Sequence, residues 1–321
     1  MHVRTVCASA FAALLSLGLV VTRTEAQPDT IKQIVSGVWF REGDLSGKGQ
    51  CNNIIIEMKD YLIVVDANFP SGAQAALADI KKVSQKPVRW VFDTHHHGDH
   101  AYGNPVWSKM GATTLAHANV VEEMKRYEPK RWQEAAKERE DVKKLNLQTA
   151  ERPQKTFGDK PFVLEDGSRR VEFHHFGWAH TRGDGFVFLP KERILCTGDA
   201  ATNGPYNSTG DGNVGNWPVV LGKASALNAE RVLPGHGPAG GKEVLSGEIE
   251  FMMALRRVVA AELKAGKTLN DLVKMEKGQP KSTTVKLPDS VKKWVGPFFA
   301  TQVKDTVEEI NAGKPHGDLP H

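Results

Sequence analysis

The stretch Thr94-His95-His96-His97-Gly98-Asp99-His100 constrains this chain more than any other. It follows the apolar run Val88 to Phe92, which reads as a buried strand. Five ionisable side chains fill six positions at that strand's exit, a crowding of imidazoles that calls for a metal to share them. His95 and His97 lie two apart, so an extended backbone can point both the same way. Gly98 lets the chain turn sharply before Asp99 and His100. The spacing supplies donors for two ions but completes neither site. A fold built around it must bring further donors to the same strand end.

Three such donors stand downstream, each after an apolar run and flanked by glycine. His180 lies in Gly177-Trp178-Ala179-His180-Thr181-Arg182-Gly183-Asp184, behind Val171 to Phe176. Asp199 ends Cys196-Thr197-Gly198-Asp199, behind Arg193 to Leu195. His236 lies in Pro234-Gly235-His236-Gly237, behind Arg231 to Leu233. Singly, each is an ordinary loop residue. As an ordered set, His95, His97, Asp99, His100, His180, Asp199 and His236 offer the neutral imidazole and carboxylate donors that suit zinc.

The rest of the chain reads as alternating strands and helices. Gly37 to Arg41, Asn53 to Met58 and Tyr61 to Asp66 are short strands, the last two joined as a hairpin. Ser71 to Val83 has helical periodicity, with Ser71 as the expected N-cap. Val88 to Thr94 and Thr113 to Ala116 are strands, and Asn104 to Met110 a short helix. Segment 118–155 is polar with sparse apolar positions and reads as a helical insertion, either a solvated face or a lid. Phe162 to Leu164, Val171 to Phe176, Gly185 to Leu189, Arg193 to Thr197 and Arg231 to Leu233 read as strands. Asn203 to Trp217 is a long Gly/Asn loop, and loops of that length often carry function. Ala224 to Ala229 and Lys242 to Lys264 read as helices, and segment 268–321 as a charged helical extension. This order implies an α/β layered fold.

The 321 residues allow one large domain and an ample core, and the net charge of +4 is spread along the chain. No basic block argues for nucleic acid. Arg4, the apolar stretch Cys7 to Val21 and Thr24-Glu25-Ala26 form a secretory signal pattern over 1–26. The mature chain is then expected to be secreted or periplasmic, without stable membrane insertion. Cys51 and Cys196 remain and are read as two free thiols, Cys196 within a buried strand.

The ordered donors resemble the metallo-β-lactamase superfamily, the αβ/βα metallohydrolases, over roughly Val35 to Leu263. The resemblance implies a four-layer αβ/βα sandwich with two mixed β-sheets and outer helices. It implies two Zn2+ per chain: His95, His97 and His180 on the first, Asp99, His100 and His236 on the second, Asp199 bridging. It further implies hydrolysis of a small-molecule substrate by a water activated between the ions, with Asp99 as a candidate catalytic proton shuttle. The aspartate bridge resembles the glyoxalase II-like or lactonase-like branch more than the cysteine-bearing lactamases. The expected bond is therefore an ester, lactone, thioester or amide. The alternatives are β-lactam hydrolysis and, from another class, a di-iron redox or non-catalytic metal-binding protein.

Neighbouring residues are weighed separately. Strand alternation turns His96 away from the donors. His174 and His175 are structural, and His117 ends a short strand. Asp66 either caps a turn or accepts a hydrogen bond from a donor histidine. Trp178, Tyr206 and Trp217 are substrate-wall candidates or packing anchors.

Overall fold

The computed structural model describes residues 31–43 and 51–320. The expected signal segment 1–26 lies outside the described residues. Seven strands follow one another across the first sheet: β1 (Ile31–Val35), β2 (Val38–Arg41), β3 (Asn53–Glu57), β4 (Leu62–Val65), β5 (Val88–Asp93), β6 (Thr113–His117) and β7 (Lys155–Phe157). β1 to β4 pair antiparallel, and β4 to β7 run parallel. The second sheet contains β8 (Phe162–Glu165), β9 (Arg170–His175), β10 (Gly185–Leu189), β11 (Ile194–Gly198) and β12 (Arg231–Pro234), in the order β12-β11-β10-β9-β8. Only β11 and β12 are parallel there. Both sheets are therefore mixed.

Period-two alternation explains the layering. Ile54, Ile56, Ile63, Val65 and Phe92 point between the sheets and meet Phe173, Val187, Leu189 and Cys196. Their neighbours Ile55, Leu62, Val64 and Val91 point outward onto Ala73, Ala76 and Ile80 of the helix Pro70–Val83. Phe186, Phe188, Leu195 and Val232 leave the second sheet on its other side. They pack with the helices Trp217–Ser225, Glu243–Lys264 and Phe299–Ala312. The result is the expected helix–sheet–sheet–helix sandwich.

Several local readings are corrected. Helix 70–83 begins at Pro70, whose missing N–H suits a first turn. Ser71 is inside it, and its amide and hydroxyl instead donate to Asp141 at 3.0 and 2.7 Å. The helix expected at 224–229 runs from Trp217 to Ser225, because Pro218 again fits a first turn. Two strands, β1 and β7, escaped the sequence reading. Segment 268–321 is not wholly helical: Val273–Glu276 and Gln279–Thr283 form a hairpin. Its turn, Lys277-Gly278, has positive φ at both residues, the geometry a two-residue hairpin turn requires.

Segment 118–155 holds three helices, Ala118–Tyr127, Lys130–Glu138 and Glu140–Lys143. Val120, Met124, Trp132 and Val142 give it a cluster of its own, closed by Phe69, Tyr102 and Ala116. Cys51 and Cys196 are buried free thiols, as expected.

Phe173 is fully buried between the sheets, 4.9 Å from the Phe92 ring and 5.9 Å from Phe162. Phe173→Ala is expected to cost about 3–5 kcal/mol in chemical denaturation. A loss under about 1 kcal/mol would mean that the two sheets are not held by this contact.

Candidate metal centre

All seven donors emerge on one edge of the sandwich. The His95–His100 cluster leaves β5, His180 sits between β9 and β10, Asp199 follows β11 and His236 follows β12. Two glycines allow the strand ends to close. Gly198 has φ +51°, and a Cβ on it would lie 2.4 Å from Thr94 Oγ1. A Cβ on Gly235 would lie 2.2 Å from Asp199 Oδ1.

The three rings of the first group are each oriented by the nitrogen that faces away from the centre. His95 Nδ1 lies 3.1 Å from Thr94 Oγ1, leaving Nε2 to the site. His180 Nδ1 donates to Ser208 O at 2.9 Å, again leaving Nε2. His97 is turned the other way: its Nε2 bonds Asp211 Oδ2 at 2.8 Å, and its Nδ1 stands 3.0 Å from His180 Nε2. These three form one group of converging ligand atoms. Fixing the outer nitrogen selects the tautomer whose lone pair points inward.

The second group is Asp99, His100 and His236. His100 Nδ1 lies 2.9 Å from Asp66 Oδ2, and its Nε2 is 3.4 Å from His236 Nε2. Asp66 also accepts from the Thr94 amide and hydroxyl, both at 2.8 Å. It therefore both holds the chain at Thr94 and pairs by charge with His100, and it ties both groups to β4. Asp199 lies between them, 3.8 Å from His180 Nε2 and 3.3 Å from His236 Nε2.

The groups differ in charge. Burial, reinforced by the neighbouring imidazoles, drives His95 well below its usual range and takes His180 to about 4. Burial also opposes charge on His100 and His236, but Asp199, with Asp66 and Asp99, outweighs it. His100 is held well above its ordinary value and His236 is pushed up to about 10. The residues fit a cation: His95 Nε2 is buried without a hydrogen-bond partner, and three lone pairs face one point with no proton donor among them.

Two residues that the sequence reading did not single out complete the support. Asp211 lies in the loop between Asn203 and Trp217, and Arg131 lies in the helix 130–138. Arg131 grips Asp211 with two nitrogens, at 2.6 and 2.8 Å, while Asp211 holds His97. Burial works against the Asp211 charge, but Arg131, His96 and His97 keep it far below the carboxylate range. His96 turns away from the donors as expected. It stacks on Tyr127 at 5.3 Å and lies 3.2 Å from both Arg131 and Asp211. The Gly210-Asp211-Gly212 sequence was the available hint; nothing local marks Arg131, since its partner is 80 residues away.

A cavity of about 490 Å³ opens at the centre, lined by His97, Asp99, His180, Asp199 and His236. Its remaining lining is Pro205, Tyr206, Ser208, Pro297 and Phe298. Tyr206 therefore lines the cavity, but the two tryptophans do not. Trp217 is fully buried and donates to Ala200 O at 2.7 Å. Trp178 donates to Asp211 O at 2.9 Å and carries the Arg182 guanidinium on its face. No residue of segment 118–155 is among this lining, and the segment reaches the centre through Arg131. His117 caps the helix that follows it and stacks on His175 at 3.8 Å.

A sequence model described as the metallo-beta-lactamase superfamily matches residues 46–236, more than half of the chain. The chain belongs to this superfamily. It is a metal-dependent hydrolase of the metallo-β-lactamase fold. The metallo-beta-lactamase type 2 of Bacillus cereus is 24% identical over 247 residues, covering 72% of this chain and 86% of that protein. Metallo-beta-lactamase IND-1 of Chryseobacterium indologenes is 26% identical over 210 residues, covering 64% and 77%. Among solved structures, a metallo-beta-lactamase from Pontibacter korlensis superposes with a TM-score of 0.57 at 21% identity, covering 70% of this chain and 98% of that one. FIM-1 from Pseudomonas aeruginosa, solved in a mono-zinc form, gives 0.52 at 22% identity, covering 71% and 96%. These structures establish a shared fold. The relatives carry lactamase names, whereas the aspartate at 199 had pointed to the glyoxalase II-like or lactonase-like branch. Among the described residues, no helix is long and apolar enough to cross a membrane.

Asp211→Ala is expected to weaken zinc binding about 10- to 100-fold, the usual range for an outer partner of a ligand histidine. Arg131→Ala should act in the same direction but less strongly. Competition with a chromophoric chelator measures both, and unchanged affinity in both variants would show that neither orients His97.

Proposed function

We propose that this chain is a secreted dinuclear zinc hydrolase of an ester, lactone, thioester or amide bond. The observation that carries this reading is the meeting of two donor groups on one carboxylate, Asp199. In this reading His95, His97 and His180 would hold one ion and Asp99, His100 and His236 the other, with Asp199 available to both. Bound zinc would supply Lewis-acid polarisation of the scissile carbonyl and a water acidic enough to ionise near neutral pH. The chain's own groups do the rest. Asp66, Thr94, Ser208 and Asp211 hold the donor rings in orientation, as an outer partner of a ligand does. Asp99 both donates to the centre and borders the cavity, where its carboxylate could take the proton given up by the attacking water and pass it to the leaving group. The Arg4, apolar and Ala26 pattern of segment 1–26 supports export.

β-Lactam hydrolysis is the second reading, favoured by the names of the relatives. Asp199 in the bridging position favours the first. Zinc-loaded protein tested on lactones, thioesters, aryl esters, phosphodiesters and β-lactams separates them. Ester, lactone or thioester turnover with little β-lactam turnover is expected, and efficient cleavage of a penicillin or carbapenem would reverse the order. Asp199→Ala should lower activity more than about 100-fold, beyond the loss expected from an outer partner. Activity that survives it would sink the two-ion mechanism.

Zinc uptake should also be unequal in protons. His95 and His180 are already neutral at pH 7, so the first equivalent has little to displace. His100 and His236 are held charged and must each lose a proton to become ligands. Calorimetry in buffers of different ionisation enthalpy is expected to find more protons released by the second equivalent than by the first. Its affinity should fall more steeply as pH drops. Equal release would contradict this assignment of charge.

A further inference from the structure

The cavity has a wall that the metal chemistry does not use. Phe298 is 46% exposed, while its neighbour Phe299 is buried in the core at 8%. The two part because a helix begins between them. Phe299 takes the buried face of the helix 299–312, and Phe298, at the N-cap, is left at the cavity. Its backbone is not loose: Phe298 O accepts from Gln302 N at 2.9 Å, and Gly296 O accepts from Phe299 N at 3.0 Å.

The opposite segment is locked to it. A Cβ on Gly296 would sit 2.3 Å from Pro205 Cβ, so the two strips of chain touch. Gln302 donates to Asn207 O at 2.9 Å, and Thr209 donates to Asp305 at 2.6 Å, which tie the Tyr206 loop to the same helix. The Tyr206 ring lies 6.3 Å from the His236 ring, so the wall starts beside the donor cluster. An isolated exposed phenylalanine is ordinary. This one joins Tyr206, Pro205 and Pro297 on one side of a cavity whose other side is the donor set. A cavity of about 490 Å³ suits a small molecule rather than a polymer.

We propose that Phe298 is a specificity-determining residue and that the substrate carries an apolar acyl or aryl group that packs on Phe298 and Tyr206. The proposal deepens the hydrolase reading and rests on it. Phe298 bonds to no donor and takes no part in the bond cleavage. Its contribution is apolar surface that loses water when the substrate's tail covers it.

The test uses zinc-loaded full-length protein and a series of straight-chain hydroxamates from aceto- to octanohydroxamate. These share one metal-binding head and differ only in tail. Affinity by calorimetry is expected to rise about fourfold per methylene over the first members, the effect of burying one such group. Phe298→Ser should cut that increment to less than about twofold, and Phe298→Leu, which keeps apolar surface, should retain most of it. Relative kcat/KM on p-nitrophenyl acetate, butyrate and hexanoate should follow the same pattern, with the change in KM rather than kcat. A flat series in the unmodified protein, or an undiminished slope in Phe298→Ser, overturns the proposal while leaving the hydrolase reading intact. Failure of acetohydroxamate to bind the zinc-loaded protein overturns both, because the head would then have no metal to meet.

Discussion

The structure depends on a problem of buried polarity. Imidazoles and carboxylates are drawn together where water is largely excluded, and each needs its charge or its hydrogen bonds accounted for. The centre meets this by giving most outward-facing ring nitrogens a partner: Thr94 for His95, Asp211 for His97, Asp66 for His100, Ser208 for His180. What remains in the group of His95, His97 and His180 is a set of inward lone pairs that suits a cation. Because these partners come from the ends of β4 and β5 in the first sheet and from the Asn203–Trp217 loop that follows β11 of the second, the centre exists only when the two sheets are packed face to face.

The same partners divide the centre electrically. In the first group burial and the mutual repulsion of three imidazoles outweigh the nearby carboxylates of Asp211 and Asp199 and keep the rings neutral. The second adds Asp99 and Asp66 to the shared Asp199, and those charges overcome the cost of burying an imidazolium. One family of side chains thus serves two different ligand environments a few ångströms apart, through neighbours rather than through residue type.

Much of the fold was legible because its signals are local. Alternation in Ile54-Ile55-Ile56 and Leu62 to Val65 identifies strands and, through period two, the faces they bury. Glycines beside His180, Asp199 and His236 mark chain ends that must come close. Errors arose where a local signal was ambiguous. Ser71 looked like a cap, but Pro70 starts its helix and Asp141 takes its donors. With Pro218 in its first turn, a helix starts seven residues before the one expected at Ala224, at the end of the Asn203–Trp217 loop. Charge in segment 268–321 suggested helix and concealed a hairpin whose turn only Lys277-Gly278 signals. The tryptophans at 178 and 217 were placed beside the donors by sequence. They proved to be anchors of the loop, since each indole N–H finds a backbone carbonyl rather than the cavity.

The sequence by itself determined the fold class and gathered the candidate donors at strand ends, because strand periodicity and glycine spacing are properties of adjacent residues. Tertiary structure alone decided which ring nitrogen faces inward, that Arg131 and Asp211 stand behind His97, and that Phe298 rather than a tryptophan walls the cavity. The physical reason is separation along the chain. A tautomer is set by a partner as far as 114 residues away, and a cavity wall by whichever remote segments pack against each other. Neither leaves a trace in the local pattern of apolar and polar residues.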